Sequence, residues 1–322
     1  MYKYLILLVI AVVCFSCGTH QKTDTLLLNA QEGDALAQYK VGYKYYHGNN
    51  VNQSYAEALK WFRLAAEQGL SDAQKDLGYM YTYGQGVERD VHKGVVWYQK
   101  AAEQGNSNAQ NNLGYAYYSG RGVVQNFRTA LMWYKKSADQ GNETAQLSLG
   151  NMLFKGEGVE RNYEEAFKWY EKSAIQGNKD AQASLGLMYL KGYISMTDKA
   201  SQYEEAFKWF KAAAMGGNAY AQKYLGDMYY DGYGCGKDRT ESFKWYKLSA
   251  EQGNKDAQYN LGGLYLNAMN YQDAYTMFLL SNLNGRQLDS LAVYSATKHL
   301  NDYQISAAKR KAKELYSTWR TK

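Results

Sequence analysis

The chain has 322 residues, no proline, 33 tyrosines and a formal net charge of +6. This length can bury a substantial core, and the absence of proline favours uninterrupted helices. Acidic and basic residues alternate along the chain, so its mild positive charge does not form the basic stripe of a nucleic-acid-binding protein.

The first element in chain order has the pattern of a secretory leader. Lys3 precedes the apolar run LILLVIAVV at 5–13, which is shorter than the roughly 20 residues that a membrane-spanning helix needs. Cys17 follows the small residue Ser16 and resembles the lipidated cysteine of a bacterial lipobox. The match is imperfect, because Cys14 stands where that motif usually has leucine.

We therefore predict a signal peptide with a lipobox at 1–17, lipidated at Cys17, and a polar linker at 18–25. A signal peptide that is simply cleaved is the alternative. The lipidated form would be exported and held on the periplasmic or outer-membrane side of a bacterial membrane by acyl chains alone. Cys235 would then be the one remaining thiol, which excludes an internal disulfide framework.

A repeat occupies most of the remaining chain. An Ala-Gln pair followed by Leu-Gly, or by Val-Gly in the first copy, recurs every 36 residues with a single step of 40. The pairs begin at Ala37, Ala73, Ala109, Ala145, Ala181, Ala221 and Ala257. A second landmark, tryptophan followed by an aromatic residue, keeps the same spacing. Seven repeats at 26–281 follow from this pattern.

Each repeat carries two helical patterns. Ala73, Leu77, Gly78 and Tyr81 lie on one face of the first predicted helix. Because glycine is costly inside a helix, Gly78 predicts that the backbone of another helix passes close by.

Start and stop signals bound the second helix of each repeat. Ser54 and Asn162 are predicted N-caps. Glycines that predict left-handed C-caps follow this helix at Gly69, Gly105, Gly141, Gly177, Gly217 and Gly253. The recurring Gly-x-Gly after the first helix, as at Gly84 and Gly86, predicts a turn rather than a phosphate-binding loop.

The two ends of the repeat array are predicted to be caps. The segment 26–35 resembles the close of a second helix. At the other end, 282–322 is predicted to form a helical cap, with Leu315 and Trp319 on the apolar side of its last helix. Helix pairs of this size must stack on their neighbours to bury their apolar stripes.

The repeat unit resembles the Sel1-like repeat, a relative of the tetratricopeptide repeat. The third copy shows the motif in Ala109-Gln110, Leu113-Gly114, Tyr117, Gly120-Arg121-Gly122-Val123, Trp133-Tyr134 and Gln140-Gly141-Asn142. The resemblance covers roughly 26–281 and implies an all-α fold, a right-handed α-solenoid of stacked helix-turn-helix units. It also implies an adaptor function, because members of this family are mostly adaptors with differing partners.

Residues for catalysis or metal binding are few. The four histidines occupy unrelated positions in the repeat, and no metal-ligand spacing occurs. Ser295 begins an S-x-x-K tetrapeptide that ends at Lys298, but neither K-T-G nor S-D-N accompanies it. Cysteine-rich relatives have been linked to β-lactamase-like or penicillin-binding activity, and this chain lacks their paired cysteines. We therefore predict no enzymatic activity and no cofactor. A β-lactamase-like or penicillin-binding activity is one alternative.

Exposed positions on the first helices are the predicted partner-binding residues. In tetratricopeptide-like stacks these helices line the concave surface, and tyrosine suits protein recognition. The predicted residues are Tyr39, Tyr43, Tyr46, Lys75, Tyr79, Tyr83, Asn111, Tyr115, Tyr118, Asn151, Phe154, Lys155, Lys223, Asp227, Tyr230 and Tyr259. About half of these tyrosines are expected to pack between adjacent units instead.

The sequence thus predicts a monomeric scaffold of the bacterial cell envelope that binds a protein or peptide. A structural spacer without a specific partner is the second alternative.

Overall fold

The structure is a computed structural model that describes residues 25–194, 196 and 198–320. The predicted signal peptide and Cys17 lie outside these residues. The described chain consists of 17 helices and contains no strand. The helices are α1 (Thr25–Gln31), α2 (Ala35–His47), α3 (Tyr55–Glu67), α4 (Ser71–Tyr83), α5 (Val91–Glu103), α6 (Ser107–Ser119), α7 (Phe127–Asp139), α8 (Glu143–Lys155), α9 (Tyr163–Ile175), α10 (Lys179–Lys191), α11 (Lys199–Met215), α12 (Ala219–Asp231), α13 (Arg239–Glu251), α14 (Lys255–Asn267), α15 (Tyr271–Leu283), α16 (Ser290–Thr297) and α17 (Asp302–Arg320).

The helices form two compact units, the first ending at Gln125 and the second beginning at Asn126. In the first unit, α2 packs on α3 and α4 packs on α5. In the second unit, the same pairing joins α8 with α9, α10 with α11, α12 with α13, and α14 with α15. Each unit is thus built from stacked helix pairs, which confirms the predicted all-α solenoid. None of the described helices is long and apolar enough to span a lipid bilayer.

The predicted start and stop signals lie where the helices begin and end. The Ser54 hydroxyl accepts a hydrogen bond from the Glu57 N–H at 3.3 Å, and the Asn162 side chain accepts one from the Glu165 N–H at 2.9 Å. Gly69 follows α3 with φ of +94°, a conformation that favours glycine. The N-cap and C-cap predictions are confirmed.

In six of the seven repeats, the glycine of the Leu-Gly or Val-Gly pair lies against an aromatic ring from the second helix of the same repeat. A Cβ atom built on Gly78 would lie 2.8 Å from a ring carbon of Tyr98 and 3.0 Å from the Gly94 carbonyl oxygen. The corresponding pairs elsewhere are Gly42 with Phe62, Gly150 with Tyr170, Gly186 with Phe210, Gly226 with Tyr246, and Gly262 with Phe278. The prediction of a close helix backbone was therefore incomplete, because the nearest group is a ring.

The Gly-x-Gly turns also set the contact between successive repeats. Gly84 and Gly86 have φ of +72° and +68°, as the predicted turn requires. A Cβ atom on Gly86 would lie 2.5 Å from the Tyr55 carbonyl group, at the start of the second helix of the preceding repeat. The second glycine of the turn thus lets two backbones touch.

The glutamine of each Ala-Gln pair is a polar link between helices. The Gln74 amide donates to the Ala66 carbonyl oxygen at 3.1 Å, and its own carbonyl accepts from the Gln104 amide at 2.7 Å. The same pair of bonds joins Gln38 to Ala30 and Gln68. Since a buried amide without partners is costly, these bonds explain why glutamine recurs at a buried position.

Atypical helices close both ends of the repeats. At the first end, α1 packs on α2, and its Ala30 carbonyl accepts from Gln38 as a true second helix would. At the other end, α17 packs on α15, and Leu315 and Trp319 contact the apolar cluster around Leu261. The apolar side predicted for the last helix therefore does face the preceding helices.

Candidate binding surface

In the first unit, four exposed tyrosines lie on the first helices of the repeats. Tyr43, Tyr79 and Tyr115 each stand six residues after the alanine of an Ala-Gln pair. Tyr83 lies one helical turn after Tyr79. Their exposed fractions are 45% for Tyr43, 38% for Tyr79, 50% for Tyr83 and 48% for Tyr115. We call these four residues the tyrosine stripe.

Three of the four rings of the stripe have aromatic neighbours on the same helix. The Tyr79 and Tyr83 ring centroids are 4.3 Å apart, and those of Tyr43 and His47 are 4.2 Å apart. The Arg121 guanidinium lies over the Tyr83 ring at 5.9 Å. These contacts restrict the side chains while leaving much of each ring in solvent, which lowers the entropy lost on binding.

A cleft of about 280 Å³ opens between α2 and α4. Its lining residues are Tyr39, Tyr43, Tyr46, His47, Phe62, Lys75, Asp76 and Tyr79. Five of the predicted partner-binding residues therefore surround one cavity, and two of them, Tyr43 and Tyr79, belong to the tyrosine stripe.

The polar groups deeper in this cleft are paired within the protein. The Tyr39 hydroxyl donates to Asp76 Oδ2 at 3.0 Å, and Lys75 Nζ lies 2.9 Å from Asp76 Oδ1. The Tyr46 hydroxyl donates to Gln85 Oε1 at 2.7 Å. Burial raises the pKa of Tyr39 and of Tyr46 above the usual value of a phenol. Tyr39 and Tyr46 therefore join neighbouring repeats. Lys75 pairs with Asp76 on its own helix, while the stripe stays open to solvent.

The remaining predicted residues of the first unit are less exposed. Asn111 and Tyr118 are half-buried. The Asn111 Oδ1 atom is buried and has no hydrogen-bond partner among the described residues.

Several predicted residues of the second unit have internal partners. Asn151 accepts a hydrogen bond from the Tyr170 hydroxyl at 2.8 Å. Phe154 packs against the rings of Tyr163 and Tyr193, each with a centroid distance of 5.1 Å. Lys155 lies 3.8 Å from Glu157. These contacts stabilise the stack.

Asp227 is the most heavily bonded of the predicted residues. It accepts from the Tyr246 hydroxyl at 2.7 Å and from the Asn260 amide at 3.0 Å, and it pairs with Lys223 at 2.8 Å. Burial and the Asp227 charge both raise the pKa of Tyr246. Asp227 thus links neighbouring repeats through Asn260, whereas its ion pair with Lys223 lies within α12.

Tyr259, another predicted partner-binding residue, forms a hydrogen bond with the C-terminal cap at 282–322. Its hydroxyl donates to Asp289 at 2.6 Å. This hydrogen bond raises the pKa of Tyr259 and lowers that of Asp289. Half of the predicted tyrosines were expected to pack between units, and Tyr39, Tyr46 and Tyr259 have contacts of that kind.

A second cleft, of about 310 Å³, opens between α12 and α14. We call it the carboxyl-terminal cleft. Its lining residues are Asp227, Tyr230, Asp231, Tyr246, Tyr259, Asn260, Gly263, Leu264 and Asn267. The sequence prediction included Asp227, Tyr230 and Tyr259 but missed Asp231 and Gly263. The repeat alignment marks the position of Gly263, which is that of the stripe tyrosines, but gives no signal for Asp231.

The described residues contain no cluster of three or more His, Cys, Asp or Glu that could hold a metal ion. Cys235 is half-buried, and its thiol lies 3.6 Å from the Met228 carbonyl oxygen. Burial raises the pKa of this thiol, which disfavours the reactive thiolate.

Comparison with known proteins identifies the repeat. The family model described as the Sel1 repeat matches residues 35–70, 71–106, 107–142, 144–178, 179–218, 219–254 and 255–269. A Sel1 repeat protein from Oxalobacter formigenes is 29% identical, with 82% of this chain and 97% of that chain covered and a TM-score of 0.65. Among curated proteins, no sequence matches this chain significantly.

Two further solved structures are more distant in shape. A protective antigen of uropathogenic Escherichia coli is 30% identical, covers 91% of this chain and 80% of its own, and has a TM-score of 0.43. An immunity protein from Pseudomonas aeruginosa is 19% identical, covers 67% of this chain and 81% of its own, and has a TM-score of 0.41.

Proposed function

Because this chain belongs to the Sel1 repeat family, we propose that it is a non-enzymatic scaffold that binds a protein or peptide partner through its tyrosine stripe. Sel1 repeats are generally protein–protein interaction modules. The proposal adds a particular surface to that general role.

The observation that supports the stripe is the difference between its residues and their neighbours. Tyr39 and Tyr46 donate hydrogen bonds to other repeats. Tyr43, Tyr79, Tyr83 and Tyr115 keep between 38% and 50% of their surface exposed. A row of exposed tyrosines supplies amphipathic contact area at low entropic cost, and tyrosine is enriched at binding hot spots.

We propose in addition that the scaffold acts at the bacterial cell envelope. Support comes from the leader pattern at 1–17, with Cys17 as its lipid-accepting residue. The expected result is that Cys17→Ser releases the protein from the membrane fraction of expressing cells. Unchanged membrane association of this variant would count against the anchor without bearing on the tyrosine stripe.

The experiment for the stripe combines partner capture with a matched variant. The partner is isolated from envelope extracts with the mature protein as bait, and its Kd is then measured with purified components. The triple variant Tyr79→Ala, Tyr83→Ala, Tyr115→Ala is expected to weaken binding by at least about 100-fold, since hot-spot tyrosines each contribute about 2 kcal/mol.

The control replaces exposed tyrosines elsewhere. Tyr294 and Tyr303 are 63% and 76% exposed and lie in the cap, so Tyr294→Ala with Tyr303→Ala should leave the Kd unchanged. Equal Kd values for the stripe variant and wild type would refute this surface. Absence of any stoichiometric partner would favour a spacer role instead.

A further inference from the structure

We propose that the carboxyl-terminal cleft binds an arginine side chain of the partner protein. This inference rests on the proposed scaffold function, but all of its residues lie in the second unit and none belongs to the tyrosine stripe. Two residues that oppose helix stability, Gly263 and Asp231, meet at this cleft, and the Asp231 carboxylate has no ion-pair partner among the described residues.

Gly263 is the first of these residues. It lies inside α14, where glycine is destabilising relative to alanine because of its backbone entropy. Its neighbour Gly262 has a packing reason, since a Cβ atom there would lie 2.6 Å from a Phe278 ring carbon. A Cβ atom on Gly263 would meet nothing within 4 Å. The side chain missing at Gly263 therefore leaves room in the cleft rather than in the core.

Asp231 is the second of these residues. It is the last residue of α12, where the helix dipole disfavours an acidic side chain. The corresponding last residues of α8 and α10 are Lys155 and Lys191, whose positive charge suits that position. Residues that destabilise a helix, and that no packing or hydrogen bonding explains, are expected at functional sites.

The charges that line the cleft are negative. Asp227 is balanced by Lys223 at 2.8 Å. Asp231 is exposed and forms no ion pair among the described residues. The residues that line the cleft include no lysine or arginine, although the Arg239 guanidinium lies 5.8 Å from the ring centre of the lining residue Tyr230. A bound cation would therefore be attracted both by the Asp231 carboxylate and by the carbonyl end of α12.

The remaining walls favour arginine as the source of this cation. A guanidinium is planar, pairs with a carboxylate through two parallel hydrogen bonds and stacks on aromatic rings. Tyr259 already carries the Arg286 guanidinium over its ring at 4.0 Å, which is an example of such stacking within this chain. Leu264 offers apolar contact for the methylene stem, and the Asn260 and Asn267 amides add hydrogen-bonding groups at the same cleft.

The test uses two short blocked peptides, Gly-Arg-Gly and its citrulline counterpart. Citrulline has nearly the shape of arginine but carries no charge. Each peptide is titrated into the mature full-length protein, and the backbone amide signals of Asn260, Gly263 and Leu264 are followed by NMR. The arginine peptide is expected to shift these signals with a Kd at least about 10-fold lower than that of the citrulline peptide. This preference should decrease as the salt concentration rises.

Two variants separate binding from folding. Asp231→Asn keeps the shape of the side chain and is expected to remove the preference for arginine. Gly263→Leu should fill the cleft and abolish binding of both peptides, while circular dichroism and the melting temperature stay at or above the wild-type values.

Equal shifts from both peptides, or a preference that survives in Asp231→Asn, would overturn the inference. The result does not depend on the partner that binds the tyrosine stripe. Failure of the stripe experiment would therefore leave this measurement interpretable, and the reverse also holds.

Discussion

Two adjacent glycines of α14 have opposite surroundings, although both lie in the middle of the same helix. Gly262 faces the Phe278 ring, whereas the space beside Gly263 is open. Intrinsic helix propensity penalises both equally. Their different effects on stability must therefore come from packing alone.

The first prediction at the residue scale is that alanine has opposite effects at these two positions. Gly263→Ala is expected to stabilise the protein by about 0.5–1 kcal/mol, the helix-propensity gain. Gly262→Ala is expected to destabilise it by about 1–3 kcal/mol, because the added methyl group displaces the Phe278 ring. Urea unfolding of both variants measures these changes. Similar changes of the same sign would contradict this packing.

At the scale of the element, each helix pair is tied to the next by glutamines in addition to apolar contacts. Gln74 bridges Ala66 and Gln104, and the Gln222 carbonyl accepts from Gln252 at 2.8 Å. Gln182 donates to Ala174 at 3.1 Å in the same way. In that repeat, however, Gly216 stands at the end of the second helix where other repeats have glutamine. The chain therefore contains its own comparison between a double and a single glutamine link.

We predict that Gln74→Leu costs more than Gln182→Leu. Both variants lose the bond to an alanine carbonyl, but only Gln74→Leu also loses the bond from a second glutamine. The expected difference in the free energy of unfolding is about 1 kcal/mol, the net contribution of one hydrogen bond. Chemical unfolding of the two variants checks it. Equal losses would mean that the second glutamine contributes nothing, and a larger loss for Gln182→Leu would contradict the prediction.

At the scale of the whole molecule, most helix ends could be predicted because their determinants are local. Ser54 and Asn162 as N-caps, and Gly69 after α3, depend only on neighbouring residues. The ring on Gly78 could not be read in the same way, since Tyr98 lies on the following helix. Predicting this contact would have required aligning the Ala-Gln and tryptophan landmarks, which recur with the same period.

Sequence spacing alone does not identify the residues of the candidate sites. Tyr39 and Tyr43 both project from α2, and their spacing alone does not distinguish a structural tyrosine from an exposed one. The distinction comes from Asp76 of the next repeat, which accepts a hydrogen bond from the Tyr39 hydroxyl. Asp231 and Gly263 were missed for the opposite reason, because their importance lies in a charge without a partner and in a side chain that is missing.

The last prediction concerns alkaline pH and also belongs to the whole molecule. Burial raises the pKa of Tyr98, Tyr170 and Tyr246 above the ordinary value of 10.0, and it raises that of Tyr220 to about 12. These tyrosines stay neutral in the folded state at pH values where the unfolded chain loses their protons. The contribution of these neutral tyrosines to the free energy of unfolding is thus complete below about pH 10 and is lost as the pH rises further. The expected loss is up to about 1.4 kcal/mol per pH unit for each of the buried tyrosines Tyr98, Tyr170 and Tyr246. Tyr220 is 46% exposed, so solvent screening makes its share smaller.

Urea unfolding between about pH 8 and pH 11 measures this loss. Tyr170→Phe should lower stability at neutral pH, because the hydrogen bond to Asn151 is lost, and should reduce the alkaline slope by about one tyrosine's share. Tyr303→Phe is the matched control, since Tyr303 is 76% exposed and its replacement should leave the slope unchanged. If wild type and Tyr170→Phe lost stability in parallel above about pH 10, burial of Tyr170 could not be the origin of the alkaline sensitivity.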